Sequence, residues 1–278
     1  MGHKKAGYVP ALGWDFLTPL YDPLVRLTTR EMSFKSRLLD EAGIDKAARI
    51  LDVGCGTGTL LLLVKRRSES LLAIGLDGDM NVLDIARSKA HRYVEDIALV
   101  QAFCFDIPFA DGAFDRVLSS LMLHHLTRSE KVETLKEIFR VLRPGGELHV
   151  ADWGRPHNLL MRALAFSVRL GDSFARTADN MKGLLPALFR DAGFEEASET
   201  AQFATLFGTL SLYEARKPST AVAQTHAGRF SAHNDKIDRL KAEGCEGYSS
   251  DHTTLRACGL GDDVALWQSV WASCPMRS

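Results

Sequence analysis

Three glycines fall within five positions directly after an apolar run, in the stretch LDVGCGTGTL at residues 51–60. Glycine adopts left-handed backbone conformations and has no side chain, so a turn of this kind lets the main chain come close to a ligand. At the end of a β-strand, such turns bind phosphates and adenosine-containing ligands. The stretch therefore favours folds in which a first strand opens into a ligand-binding turn.

Short apolar strands alternate with helical patterns through the centre of the chain. We predict helices at 59–67 and 80–90 and five strands at 48–53, 71–76, 98–105, 114–120 and 147–152. Thr127 and Glu130 form a capping-box signature, and apolar residues follow it at helical spacing. The alternation predicts an α/β fold with a doubly wound, mostly parallel sheet and helices on both faces. Two strand-like runs in 195–215 predict an antiparallel C-terminal hairpin, which makes the sheet seven-stranded.

The length of 278 residues suits one domain of ordinary size with appendages. We expect the ligand-binding domain to cover residues 44–217. Residues 1–43 contain prolines and many apolar side chains and are predicted to form a helical lid segment. Residues 218–278 are turn-rich and show no sheet pattern, so we predict a poorly ordered or loosely packed extension. The sequence leaves the oligomeric state open.

Composition excludes several classes of function. The net charge of −1 and the lack of a basic stripe argue against nucleic acid as a partner. The five cysteines match neither a zinc site nor a disulfide framework, so we expect no metal and predict reduced thiols in a cytoplasmic protein. No apolar run approaches the ~20 residues that span a bilayer, so no integral membrane segment is expected.

The spacing around the glycine turn separates three kinds of ligand. A phosphate-binding loop needs a lysine after its last glycine, whereas Gly58 is followed by Thr59. A dinucleotide fingerprint reads G-x-G-x-x-G, whereas Gly54, Gly56 and Gly58 give G-x-G-x-G. Asp77 follows the second predicted strand at a distance that suits a ribose-binding carboxylate. That carboxylate serves NAD and other adenosine ligands equally well, so both remain open at this point.

Four motifs together resemble class I S-adenosylmethionine-dependent methyltransferases. They are LDVGCGTG, GLD after the second strand, FD after the third, and LRPGGELHVAD at the fifth. The resemblance covers about residues 30 to 217 and includes the closing hairpin. Within this superfamily the chain is most similar to the small-molecule group that includes the ubiquinone and menaquinone C-methyltransferases. Its Gly54-Cys55-Gly56 and LMLHHL differ from the A-G-G and G-[IL]-R-N patterns of the quinone enzymes, so the acceptor and its reacting atom stay open.

The resemblance implies an S-adenosylmethionine site built from ten residues: Asp52, Gly54, Cys55, Gly56, Gly58, Asp77, Met80, Asp106, Ile107 and Ser119. The turn from Gly54 to Gly58 would pass under the methionine part of the cofactor, which Ser119 would border. Asp52 would fix that turn and the cofactor's amino end.

At the adenosine end, the resemblance assigns Asp77 to both ribose hydroxyls, as one carboxylate accepting two hydrogen bonds. Met80 would lie near the adenine. Asp106 would accept from the adenine amino group, with the Ile107 backbone beside it.

Two residues near strand ends are candidates for a catalytic base. His124 follows the fourth predicted strand, and an imidazole with an ordinary pKa of about 6.5 suits proton removal at neutral pH. Asp152 ends the fifth strand and faces the same cleft. The leading prediction is methyl transfer by in-line displacement to a small, partly apolar organic acceptor. An NAD-dependent oxidoreductase and a catalytically silent cofactor-binding regulator are the alternatives.

Overall fold

The computed structural model describes residues 29–219, apart from 48, 69, 94–96 and 173. Within this range seven strands form a single sheet: β1 (Arg49–Val53), β2 (Leu72–Asp77), β3 (Ala98–Gln101), β4 (Phe114–Ser120), β5 (Leu142–Trp153), β6 (Glu195–Thr205) and β7 (Gly208–Arg216). Most of the predicted lid, residues 1–28, and nearly all of the predicted extension, residues 220–278, lie outside the described residues.

Seven α-helices connect and cover the strands in the described part of the chain: α1 (Glu31–Ala42), α2 (Thr59–Arg67), α3 (Met80–Tyr93), α4 (Arg128–Val141), α5 (Leu159–Asp172), α6 (Phe174–Met181) and α7 (Leu185–Asp191). Two short 3₁₀ turns lie at Ile44–Lys46 and Leu123–His125. The second turn follows β4 directly and carries the histidine pair.

The strand order is β3-β2-β1-β4-β5-β7-β6. Strands β1 to β5 pair in parallel, and β7 runs antiparallel between β5 and β6. The order reverses between β1 and β4, and ligands of open parallel sheets bind beyond the strand ends at such a point. The fold class predicted from the sequence is confirmed.

Both faces of the central strands β1, β2 and β4 are buried, as expected where helices cover a parallel sheet, whereas the edge strand β6 is largely exposed. Alternate residues of β1 show this arrangement, because Ile50 packs with α1 and α2 on one face while Leu51 packs with α4 and α7 on the other. Helix α1 buries Phe34 and Leu38 completely and packs on α2 and β5. The described part of the predicted lid segment is therefore part of the core.

Local patterns locate some elements correctly and misplace others. Helix α2 and strand β4 have the predicted bounds. The prediction of a third strand over 98–105 is wrong, because β3 ends at Gln101 and a turn follows. The Pro144-Gly145 pair is typical of a turn, yet it lies inside β5 as an irregularity, with Gly145 at a φ of 73° and a register shift opposite in β4.

The capping box at the start of α4 offers a direct test of local stability. The Thr127 side chain accepts from the backbone N–H of Glu130, and the Glu130 carboxylate accepts from the N–H of Thr127 at 2.7 Å. Thr127→Ala is expected to cost about 1 kcal/mol by leaving a helix N–H without its partner. A thermal melt should show Tm lower by about 2–4 °C. Ser129→Ala, at an exposed position of the same helix, is the control, and equal losses in both variants would contradict the capping argument.

Candidate functional site

The glycine turn joins β1 to α2 at the point where the strand order reverses. The backbone N–H groups of Gly54 and Cys55 both donate to the carbonyl of Leu76, at 2.8 and 3.0 Å, which ties the turn to the end of β2. Gly54 has a φ of 70°, and a Cβ there would lie 2.3 Å from Cγ of Met122. Glycine is required at this position both by backbone conformation and by lack of space.

Gly56 faces open space, which distinguishes it from Gly54. Its φ is 52°, and a Cβ built on it would meet no heavy atom within 4 Å. Its backbone N–H donates to Oδ2 of Asp77 at 2.9 Å, and Oδ1 of Asp77 accepts from the N–H of Asp79 at 3.0 Å. Burial raises the pKa of Asp77 despite these N–H donors. The turn thus runs past an accessible space that has a carboxylate at its edge.

Asp52 and Asp77 lie on the same face of the sheet. In the β1–β2 register Asp52 pairs with Gly75, and side chains two positions apart on a strand share a face. The Asp52 side chain is buried, and neither carboxylate oxygen has a hydrogen-bond partner in the described part of the chain. A buried carboxylate without donors is costly, so this position is suited to a positively charged ligand group.

Burial raises the pKa of Asp52 to about 7, with the nearby charge of Lys35 opposing the rise and that of Asp77 adding to it. Lys35 lies on α1 and donates to Oε1 of Glu31 at 2.7 Å. Sequence analysis missed Lys35. Its only signal was the i, i+4 spacing from Glu31, which is common on exposed helix faces, whereas here both side chains are buried.

Three other predicted cofactor residues have structural partners. Ser119 Oγ donates to the carbonyl of Val53 at 2.9 Å and ties β4 to β1. The Cys55 side chain packs where a Cβ on Gly75 would stand, and burial raises the pKa of its thiol well above the usual value. Gly58, with a φ of 75°, precedes α2, and its N–H donates to the carbonyl of Cys55. Through these contacts the three residues stabilise the conformation of the glycine turn.

The segment after β3 differs from the arrangement that the sequence predicted. The N–H of Asp106 donates to the carbonyl of Phe103 at 3.0 Å, so the chain reverses between these residues and leaves the Asp106 side chain exposed. Ile107 is fully buried, and its N–H donates to Oε2 of Glu137 on α4 at 2.9 Å. A hydrogen bond from the Ile107 backbone to the adenine would require this N–H to leave Glu137.

The structure brings the two catalytic candidates into contact. Nδ1 of His124 lies 2.7 Å from Oδ1 of Asp152, and the His124 backbone N–H donates to Oδ2 at 3.2 Å. Asp152 also accepts from the N–H of Trp153 at 2.7 Å. Burial favours the neutral acid, but His124, the Trp153 N–H and His125 outweigh it and hold the pKa of Asp152 below its usual value. Because an ionised Asp152 can only accept a hydrogen bond, Nδ1 of neutral His124 must carry the proton that it donates to Asp152. The basic nitrogen of His124 is then Nε2.

Helix α6 covers the turn that carries the histidines. It packs on the 3₁₀ turn and on β5, and Nη1 of Arg176 donates to the carbonyl of His125 at 3.0 Å. Nζ of the fully buried Lys131 donates to the carbonyl of Arg176 at 2.5 Å. These bonds hold the turn against α4 and α6, so His124 is presented from a rigid support.

Among the described residues, no group of three or more His, Cys, Asp or Glu side chains is arranged to hold a metal ion. No helix in the same part of the chain has the length and apolar character to cross a bilayer.

The sheet order, the glycine turn and the acidic residues at the carboxyl ends of β1 and β2 define the class of protein as an α/β domain for an adenosine-containing cofactor. A family model described as "Methyltransferase domain" matches residues 50–146. Demethylmenaquinone methyltransferase of Thermus thermophilus is 35% identical over 142 residues, which cover 50% of this chain and 64% of that protein. The ubiquinone/menaquinone biosynthesis C-methyltransferase UbiE of Cronobacter sakazakii is 30% identical over 59% of this chain and 73% of its own length.

Among solved structures, phosphoethanolamine N-methyltransferase 2 of Haemonchus contortus, in complex with phosphomonomethylethanolamine and S-adenosylhomocysteine, has the same fold. The TM-score is 0.60 at 16% identity, over 75% of this chain and 58% of that one. The chain belongs to the class I S-adenosylmethionine-dependent methyltransferase family. This assignment decides between the two cofactors left open by the sequence in favour of S-adenosylmethionine. The chain spans slightly less than two thirds of the Thermus relative.

The pKa of Asp52 gives a prediction for stability. A pKa of about 7 in the folded protein lies above the ordinary value of 3.8, so the protonated carboxyl is the form that folding favours. The folded protein therefore loses stability as the pH rises from 3.8 to about 7, and the loss is complete above that pH. Asp52→Asn removes the buried charge, and in the ligand-free protein it is expected to raise Tm by several degrees at pH 8.

The gap should narrow as the pH falls below 7, and the variant and the wild type should melt within about 1–2 °C of each other only near pH ~4, close to the ordinary pKa that the carboxyl has in the unfolded chain. Asp45→Asn, at an exposed site, is the control for removing one negative charge. A Tm at pH 8 that falls in Asp52→Asn would contradict an uncompensated buried charge.

Proposed function

We propose that this protein transfers a methyl group from S-adenosylmethionine to a small, partly apolar organic acceptor. The observation that carries the proposal is the buried carboxylate of Asp52, which has no hydrogen-bond partner among the described residues and lies on the same sheet face as Asp77, with the open glycine turn between them. A ligand with a cationic group at one end and a ribose at the other satisfies both carboxylates. S-adenosylmethionine is such a ligand.

The methionine end would be held by β1 and its turn. Asp52 would receive the α-ammonium group, which would supply the donors that its oxygens lack. The open face of Gly56 would allow the chain of the cofactor to lie against the backbone. Ser119 keeps β4 close to β1 and so forms the border of this end.

The ribose end would be held by Asp77. A carboxylate has about four acceptor positions; Asp77 accepts from the N–H groups of Gly56 and Asp79, and the N–H of Gly78 also lies close enough to lower its pKa. The remaining positions would accept from the two ribose hydroxyls. Met80, partly exposed at the start of α3, would border the base. The predicted role of Asp106 at the adenine is taken up in the next section.

When bound, the cofactor supplies the reactive methyl on a positively charged sulfur. The protein must then orient the acceptor behind that methyl and exclude water, and orientation alone contributes ~7–11 kcal/mol in favourable cases. Where the acceptor carries a proton that must leave, His124 would receive it on Nε2. Asp152 would hold the ring in that tautomer and stabilise the charge that forms.

The acceptor class rests on the relatives and on the surroundings of His124. The two relatives described above are named for demethylmenaquinone and for ubiquinone and menaquinone synthesis. The Trp153 ring packs edge-on against that of His124, with the ring centroids 6.1 Å apart. Met161, at the start of α5, is also buried. An apolar ring with an ionisable hydroxyl, such as a reduced quinone or a phenol, fits this combination.

The free thiols of Cys55 and Cys104 are consistent with a cytoplasmic location.

The test of cofactor use combines binding with transfer. Calorimetric titration with S-adenosylhomocysteine is expected to show micromolar binding, and Asp77→Ala should weaken it about tenfold or more by removing charge-assisted hydrogen bonds. Transfer of tritiated methyl from S-adenosylmethionine to reduced quinones and phenols should follow. Asp111→Ala, an exposed carboxylate elsewhere, is the control. Absence of binding would refute the proposal. Binding without methyl transfer to any of these acceptors would favour the catalytically silent regulator.

The His124–Asp152 pair predicts a separation of binding from transfer. Asp152→Asn keeps the shape but loses the charge that fixes the His124 tautomer, so transfer to a hydroxyl-bearing acceptor is expected to fall by roughly 10² or more. The dissociation constant for S-adenosylhomocysteine should change less than about threefold. His91→Gln, an exposed histidine near the end of α3, is the control and should transfer methyl at the wild-type rate. Equal rates in Asp152→Asn and wild type would remove the pair from the mechanism.

A further inference from the structure

Two exposed aromatic residues, Phe103 and Phe105, follow β3 next to the proposed cofactor site, and neither has been assigned a role above. Phe103 and Phe105 are 43% and 38% exposed, which is unusual for phenylalanine. Their rings stack with centroids 5.2 Å apart and planes within 5° of parallel. Each ring covers part of one face of the other, and the stack presents its remaining faces and edges to solvent. We call this stack the Phe103–Phe105 platform.

The platform stands beside the end of β2. Asp77 pairs with Gln101 in the β2–β3 register, and Ala102 continues the ladder by donating to the carbonyl of Asp77 at 3.1 Å. Phe103 is the next residue, and a Cβ on Gly78 would lie 3.2 and 3.3 Å from two of its ring carbons. The ring of Phe103 therefore lies directly against the backbone that follows the proposed ribose carboxylate.

Asp106 follows the two phenylalanines in the same segment, but its side chain is not part of their stack. It closes the reverse turn that begins at Phe103, and its side chain is exposed. The next residue, Ile107, is anchored in the core through Glu137. The backbone donor that would have assisted Asp106 in recognising an adenine amino group is thus already bonded.

Building on the proposed use of S-adenosylmethionine, we propose that the Phe103–Phe105 platform receives the adenine by aromatic contact, in place of a hydrogen bond from its amino group to Asp106. Base stacking on an aromatic ring depends on the π-face of the base and tolerates changes at its edge. The protein consequently recognises a purine attached to the ribose that Asp77 holds, and it discriminates weakly between adenine and a purine without the 6-amino group.

Calorimetric titration of the full chain with S-adenosylhomocysteine tests the platform. Phe103→Ala is expected to weaken binding by about tenfold, the range found when a base loses its aromatic partner. Phe103→Trp, which restores a ring, should bind within about threefold of wild type. Asp106→Ala should also stay within about threefold, as should Tyr93→Ala, an exposed aromatic at the end of α3 that controls for loss of a surface ring.

S-inosylhomocysteine, in which a carbonyl replaces the adenine amino group, provides the second measurement. Wild type is expected to bind it within about fivefold of S-adenosylhomocysteine. The proposal is overturned if Phe103→Ala binds like wild type, or if Asp106→Ala loses tenfold and wild type rejects the inosine compound. A circular dichroism melt checks that each variant is folded. Failure of wild type to bind S-adenosylhomocysteine would overturn the proposed cofactor use and this inference together, whereas binding that needs Asp77 and ignores Phe103 would overturn the inference alone.

Discussion

The candidate site depends on the contact between the glycine turn and the end of β2. Two backbone N–H groups of the turn donate to Leu76, and a third, that of Gly56, donates to the Asp77 carboxylate. These bonds fix the main chain in a path that only glycine follows at position 54, where Met122 occupies the space of a side chain. The same contact leaves Gly56 open and holds Asp77 at the edge of the opening. Ligand recognition and local backbone structure are therefore produced by the same few groups.

Charge burial gives this site its energetic character. Asp52 is buried in β1, no hydrogen-bond donor from the described part of the chain reaches it, and its pKa of about 7 reflects the cost of keeping it ionised. A core position of this kind lowers the stability of the ligand-free fold, and a cationic ligand offsets the loss. On the other face of the sheet, Asp152 shows the opposite balance, because the histidine pair and the Trp153 N–H outweigh its burial. Asp52 is thus suited to bind a cationic ligand group, whereas Asp152 is already bonded to His124 and orients its ring.

Much of the fold followed from periodicity, and much of the site from the ends of the strands. The bounds of α2 and β4, the capping box at Thr127 and the closing hairpin are local patterns, and the structure has them where they were predicted. The segment after β3 was misread, because ALVQAFCF is apolar on both sides of Gln101 and no turn residue marks Gln101 as the end of the strand. Phe103 was consequently read as a strand residue, and Asp106 was assigned to the strand end.

By itself, the sequence determined the alternation of strands and helices, the glycine turn and the acidic residues that follow the strands, because each is written in a few consecutive positions. Only the tertiary structure decided which of these groups meet. The pairing of His124 with Asp152 joins residues 28 positions apart, the proximity of Lys35 to Asp52 joins a helix to a strand, and the placement of Phe103 against Gly78 follows from strand register. Burial, which sets the pKa of Asp52, is a property of the packed core. No short stretch of sequence contains that information, since it arises from helices and strands that are brought together only by folding.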